Sequence, residues 1–271
     1  MRALNRPTSW WGWNWEQPTP MSIVELIEAG NMDYRVAAMF WVAMERGASL
    51  IIAADPPHSG KTTTLSALLT FTRPETAVYF TRGVGETFAL PVVSQSYDTY
   101  ILVNEMSDHI PVYTWDEYAR RAFELLAGGY RLATTMHDET VEGVIRQLEG
   151  DLGVPPAHIG SLTFIIPMFI GRREQTIRRI TEVAVLQPAG GGYAIATAAT
   201  WDRSDDTFSL FEDPDVREAF ARWARLSVEE LDAEIDKRAL FLRSLSKTGM
   251  REIPHVNAAI EGYYEEFVRG K

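Results

Sequence analysis

The segment Ala53-Ala54-Asp55-Pro56-Pro57-His58-Ser59-Gly60-Lys61-Thr62-Thr63-Thr64-Leu65 constrains this chain more than any other. An apolar run over 49–53 leads into it, and Leu65, Leu68 and Leu69 follow at helical spacing. Strand, loop and helix, with Gly-Lys-Thr at the turn, is the layout of a phosphate-binding loop. Such a loop presents backbone N–H groups at a helix N-terminus; its lysine reaches the outer phosphates and its first hydroxyl residue ligates Mg²⁺. The pattern G-x-x-x-x-G-K-[ST] is met except at its first glycine, where Asp55 stands.

Composition narrows the surroundings. A chain of 271 residues fits one large domain or two small ones and buries about three quarters of its unfolded surface. With 46% apolar and 23% charged residues it reads as an ordinary globular protein. The absence of cysteine excludes disulfides, thiolate catalysis and Cys-ligated zinc, and fits a reducing cytoplasm. A net charge of −11 argues against non-specific nucleic-acid binding. The longest apolar stretch, 162–170, is far short of the roughly 20 residues that cross a bilayer. Trp10, Trp11, Trp13 and Trp15 alternate with polar residues and prolines, unlike a signal peptide, so a membrane role is expected through a docking partner.

Along the chain, residues 1–20 are predicted to be an extended arm whose tryptophans pack on the domain surface. Helices are expected over 22–28 and 34–46, then strands over 76–81 and 99–103. A capping box, Thr114 with Glu117, predicts the next helix, ended at Gly128-Gly129. A strand over 131–135 feeds a helix over 139–149, and runs at 162–170, 177–186 and 193–201 read as strands. Alternating strand and helix implies an α/β fold with a mostly parallel sheet covered on both faces. From Asp213 the chain is predicted helical, with Ser227 and Glu230 capping a helix stopped by Gly249 and a last helix around 254–268. The expected organisation is an arm or linker over 1–33, a core over 34–205 and a helical C-terminal subdomain over 206–271.

Two further residues fall where ligands bind in open α/β sheets, at the carboxyl ends of strands. Glu105 ends the run Ile101-Leu102-Val103-Asn104, where a phosphate-loop ATPase places an acid that holds Mg²⁺ or positions water. His137 follows the strand at 132–135; a lone histidine at a strand end is usually structural, and its functional alternative is to hydrogen-bond a γ-phosphate or sense its loss.

Together these segments resemble the type II/type IV secretion ATPase superfamily, which powers type II secretion, type IV pili and the archaeal flagellum. His-Ser-Gly-Lys-Thr-Thr-Thr-Leu, 58–65, resembles its Walker A. Leu-Val-Asn-Glu-Met-Ser-Asp, 102–108, resembles its Walker B, and Ala-Gly-Gly-Tyr-Arg-Leu-Ala-Thr-Thr-Met-His, 127–137, its His box. The segment from Pro18, the pair Arg178-Arg179, and the tail with Ile235-Asp-Lys-Arg and Gly262-Tyr-Tyr are similar to the archaeal branch. The resemblance implies a RecA-like P-loop NTPase motor domain using ATP and Mg²⁺. Pro57, His58, Ser59, Gly60, Lys61, Thr62 and Thr63 would hold nucleotide, Thr62 and Glu105 the metal, and Glu105, Glu86 and His137 would be catalytic. It also implies a self-assembled ring, an inner-membrane platform protein as partner, and a separate N-terminal-domain protein. The location implied is cytoplasmic, at the inner face of the membrane. Arg172, Arg173, Arg178 and Arg179 form a basic strip that either faces nucleotide or a neighbouring subunit, or is a strand pair with solvated arginines.

The chain departs from the family pattern where an acidic box is expected. Thr81-Arg82 or Gly83-Val84 stands there, and Glu86, a few residues later, is the nearby carboxylate. The region 92–98 is too short for the family's additional arginine-bearing helix. Ser107 and Tyr130 replace an arginine and a histidine. A carboxylate such as Asp55 at about 5 Å from phosphate costs roughly 3 kcal/mol at an effective dielectric of ~20. The alternative reading is therefore a nucleotide-binding paralogue with little or no hydrolysis, acting as a structural or regulatory assembly subunit. A small-molecule kinase ranks third.

Overall fold

The computed structural model describes residues 1–5, 20–91, 96–172 and 175–269. The arm tryptophans Trp10, Trp11, Trp13 and Trp15 and Arg173 lie outside these residues. The fold is α/β, built on one sheet whose strands are β1 (Arg2–Ala3), β2 (Leu50–Ala53), β3 (Ala77–Phe80), β4 (Thr99–Leu102), β5 (Arg131–Met136), β6 (Phe164–Arg172), β7 (Thr176–Ile180), β8 (Glu182–Ala189), β9 (Gly192–Asp202) and β10 (Thr207–Leu210). The order is β1-β3-β4-β5-β2-β6-β8-β9-β10, parallel from β1 to β6 and antiparallel beyond it, with β7 pairing the outer half of β6.

The loop strand β2 sits between β5 and β6, and period-two alternation splits its side chains between two cores. Leu50 and Ile52 join a core formed with α1 (Ile23–Glu28), α2 (Tyr34–Glu45) and α3 (Lys61–Leu69). Ile51 and Ala53 join the opposite core, under α4 (Asp116–Ala127) and α5 (Val141–Arg146). A strand buried on both faces must be apolar throughout, which explains its uninterrupted hydrophobic run. Between α5 and β6 lies the short α6 (Pro156–Ile159). The C-terminal helices α7 (Pro214–Ala224), α8 (Val228–Lys247) and α9 (Ile253–Arg269) share the first core with α1 and α2. Helix α2, buried from Val36 to Met44, lies inside that core, as its all-round apolar sequence requires.

Three local expectations change. The capping box at Thr114 is absent: Trp115 is the N-cap without a side-chain bond, and Asp116 has φ +52°. The Thr114 hydroxyl is instead buried against that of Thr81, 3.1 Å away. The run 177–186 is two strands, β7 and β8, broken at Thr181. Its N–H and hydroxyl donate to Pro167 O at 2.9 and 3.1 Å, and the chain there changes its place along β6. The helix over 139–149 is α5 for only one and a half turns before it widens into a π-helix over Gln147–Asp151. The capping box of α8, Ser227 with Glu230, and the stop after it at Gly249 form as predicted.

Aromatic packing ties the last helix to the first core. Trp41 stacks on Phe71 at 4.9 Å, and its Nε1–H donates to the Tyr264 hydroxyl at 2.9 Å. That hydroxyl donates in turn to Phe71 O at 2.6 Å. Tyr264→Phe keeps the ring but strands two buried polar groups, an expected loss of about 1–3 kcal/mol. Denaturant unfolding at unchanged m-value checks it; an unshifted midpoint would mean that both groups find other partners.

Candidate functional site

The predicted phosphate loop leaves β2 at Ala53 and enters α3 at Lys61, with Gly60 as the helix N-cap. Gly60 has φ +94°, in the left-handed region that favours glycine, and a Cβ there would meet Arg178 Cδ at 3.1 Å. His58 also has positive φ, +59°, an uncommon conformation for a residue with a side chain. The N–H groups of Lys61, Thr62 and Thr63 open the helix and have no intrahelical acceptor, the first inward bond being Thr64 N–H to Gly60 O at 2.9 Å. The Ser59 hydroxyl is buried with no hydrogen-bond partner among the described residues. A left-handed glycine, unfilled helix-start donors and an unpartnered buried hydroxyl together fit an anionic oxygen ligand at this loop.

Lys61 is only 6% exposed, and its Nζ donates to Ala54 O at 2.8 Å. Burial pushes its pKa down, while the negative charges of Glu105 and Asp55 oppose that shift. Pro57 and His58 are exposed, Thr62 and Thr63 are half-buried beside Lys61, and the carboxylate-bearing Asp55 is exposed.

The neighbouring strand ends are held in line by backbone bonds. Val103 N–H donates to Ala133 O at 3.0 Å, Met106 N–H to Thr135 O at 2.9 Å, and Ala54 N–H to Met136 O at 3.2 Å. This register sets Glu105, after β4, next to His137, after β5, with Oε1 and Nε2 2.7 Å apart. His137 Nδ1 lies 3.1 Å from Asp55 O, so the histidine joins the Glu105 turn to the phosphate loop. Interaction with Glu105 raises the His137 pKa, against the opposing effect of burial.

Glu86 occupies a different role. It is 6% exposed, and its carboxylate accepts from the Tyr79 hydroxyl at 2.7 Å, Arg82 N–H at 2.7 Å and Phe88 N–H at 2.6 Å. Burial, with the Glu86 bond adding to it, pushes the Tyr79 phenol up to about 12, so it stays a donor. Gly83 in this loop, at φ +81°, packs so closely that a Cβ would lie 2.2 Å from Pro111 O. With three donors committed, Glu86 holds the loop after β3 together. Glu86→Ala should raise amide hydrogen exchange at Arg82 and Phe88 by about tenfold or more, since each loses a charge-assisted bond of roughly 1.5–3 kcal/mol. Unchanged protection there would argue against this anchoring.

The basic strip divides by strand alternation. Arg178 turns to the phosphate loop, its Nε–H donating to His58 O at 2.8 Å. Arg179, 7% exposed, turns the other way into a two-pronged pair with Asp206 at 2.8 and 2.9 Å and donates to Ala29 O at 2.9 Å. Arg172 is exposed on the outer part of β6. One residue near the site carried no sequence signal. His109, in the loop after Glu105, has its ring centroid 4.9 Å from that of His137.

No protein-family model matches the chain. It is 24% identical over 269 residues to uncharacterized protein MJ1287 of Methanocaldococcus jannaschii, covering 91% of this chain and 98% of that protein. It is 26% identical over 195 residues to uncharacterized protein MJ0900 of the same organism. That match covers 62% of this chain but only 34% of the relative, so the chain spans about a third of its length. The X-ray structure of the Legionella pneumophila ATPase DotB aligns with 90% of this chain and 66% of that one, at 13% identity and a TM-score of 0.36. At these values the comparisons assign no activity, and the reading of the site rests on its own residues.

Proposed function

We propose that the chain binds Mg-ATP on the loop between β2 and α3 and hydrolyses it as a motor subunit of a type II/type IV secretion or pilus-like machine. The observation that carries this reading is the loop itself. A buried lysine follows a left-handed glycine at a helix start, and the carboxyl ends of β4 and β5 bring an acid and a histidine beside it. The helix-start N–H groups and Lys61 would hold the phosphates, and Thr62 with Glu105 would hold Mg²⁺. Mg²⁺, when bound, supplies charge neutralisation on the phosphate oxygens. Glu105 orients the attacking water and accepts its proton, and His137 positions Glu105. Arg178, lying over the loop, adds a positive charge where the phosphates would sit. The sequence resemblance supports the wider setting: a ring of copies at the cytoplasmic face of a membrane, a membrane platform protein as partner, and a separate N-terminal-domain protein.

A second reading is favoured by the engaged carboxylate of Glu86 and by His58 at a left-handed position. In that reading the protein binds nucleotide without appreciable turnover and serves as an assembly subunit. Titration of ATP with Mg²⁺, run beside steady-state phosphate release, tests both. Binding with turnover that is lost in Glu105→Gln is expected. Binding without turnover selects the second reading, and absence of binding removes both.

A further inference from the structure

We propose that Glu105, His109 and His137 form a binding site for a divalent transition-metal ion of the zinc and cobalt class, independent of nucleotide. One donor atom from each residue lies within 4.8 Å of the others. The central pair carries the argument. His137 Nδ1 faces a carbonyl, Asp55 O, which can only accept, so this nitrogen bears the hydrogen. When the ring is neutral, Nε2 presents a lone pair toward Glu105 Oε1, 2.7 Å away; when it is protonated, the two form an ion pair. That oxygen is buried and makes no well-directed hydrogen bond among the described residues. Two electron-rich atoms at this separation call for a cation.

A proton on His137 would satisfy the pair alone, but it gives no part to the third donor. His109 tilts its ring 60° to that of His137 rather than stacking on it. Its side chain is 59% exposed, free to turn, and its Nε2 lies 4.0 Å from Asp108 Oδ1. Zinc–ligand bonds of about 2.0–2.2 Å place neighbouring donors roughly 3–3.5 Å apart, within a small side-chain rotation of the present spacing. The Asp55 carbonyl on His137 Nδ1 is the kind of outer-shell partner that metal-binding histidines use. Lys61 is the nearby opposing charge, and its Nζ is directed to Ala54 O. Two imidazoles and one carboxylate suit zinc, cobalt, nickel or ferrous iron and disfavour Mg²⁺, which takes oxygen ligands. A bound ion would withhold Glu105 from water, so metal occupancy and hydrolysis at this acid exclude one another.

Co²⁺ added to the metal-free full chain without nucleotide is expected to give a saturable visible absorption at one ion per chain, displaced by Zn²⁺. In His109→Ala the affinity should fall at least about tenfold. ATP binding by the same variant should be retained, because His109 takes no part in the phosphate loop. Absence of saturable binding, or equal affinity in His109→Ala, would overturn the site. ATP binding weakened in Lys61→Ala and kept in His109→Ala tests the nucleotide reading separately, so either may fail alone.

Discussion

Arg238→Ala is expected to lower the melting temperature by about 6–20 °C, the largest stability effect of any single substitution considered. Arg238 is 4% exposed in the middle of α8. It stands in the stripe Leu231, Ile235, Leu242 and Leu245, all buried, at the position that would complete the helical spacing with an apolar residue. Its guanidinium pairs with Glu45 at the end of α2 and with Glu234 one turn back. It also lies 5.6 Å from the ring centroids of both Trp41 and Tyr263. Burial works against its charge, yet Glu45 and Glu234 outweigh it and hold the pKa above the ordinary arginine value. Removing Arg238 leaves the buried Glu45 carboxylate to the half-exposed Arg73, 4.0 Å away; breaking a buried pair costs about 3–5 kcal/mol, or roughly 2–4 °C per kcal/mol in a domain of this size. Replacing Arg238 and Glu45 together, as in Arg238→Met with Glu45→Leu, should recover much of the loss, because apolar packing can match a buried ion pair and the remaining Glu234 is a quarter exposed to water. Thermal melts of the single and double variants test this. A shift under about 2 °C in Arg238→Ala would show that the pair is dispensable.

Arg238 also marks where sequence reading stops. The apolar members of its stripe were legible from spacing, but an arginine inside the stripe needs a partner from α2, nearly two hundred positions away, and no local pattern announces that. Likewise Glu105 and His137 were legible because each follows a buried strand, and the direct parallel pairing of β4 with β5 sets their ends side by side. His109 was not, since it lies in an irregular turn whose course is set by Thr114 N–H bonding back to Glu105 O at 2.9 Å. Thr114 shows the same limit in reverse. Its spacing from Glu117 matched a capping box, but burial against Thr81 won, and the helix starts uncapped by a side chain. Glu86 was legible as the available acid, whereas its three donors come from the loop's own folded shape. Local period and turn chemistry thus locate elements and their ends; partners brought together by long-range register decide what the polar residues do.

Lys61→Ala is expected to weaken ATP binding by about 10- to 100-fold, the loss of one charge-assisted contact of roughly 1.5–3 kcal/mol. The fold should survive the change. Lys61 is almost fully buried with its pKa pushed down by that burial, so the protein already works against its charge, and alanine is a good residue for the first turn of α3. The only side-chain hydrogen bond lost among the described residues is that to Ala54 O, an acceptor at the mouth of the loop. Melting temperature within a few degrees of the parent, with ATP affinity sharply reduced, is therefore the signature of a phosphate-binding lysine rather than a structural one. Lys61→Arg should restore little, because a planar guanidinium cannot take the place of a compact ammonium in a buried loop. If Lys61→Ala bound ATP as tightly as the parent, the loop would have no part in nucleotide binding, and Gly60-Lys61-Thr62 would be a helix start with a buried lysine and nothing more. If it unfolded instead, the Ala54 contact would be structural, and Lys61→Met, which keeps the aliphatic stem, would separate the two roles.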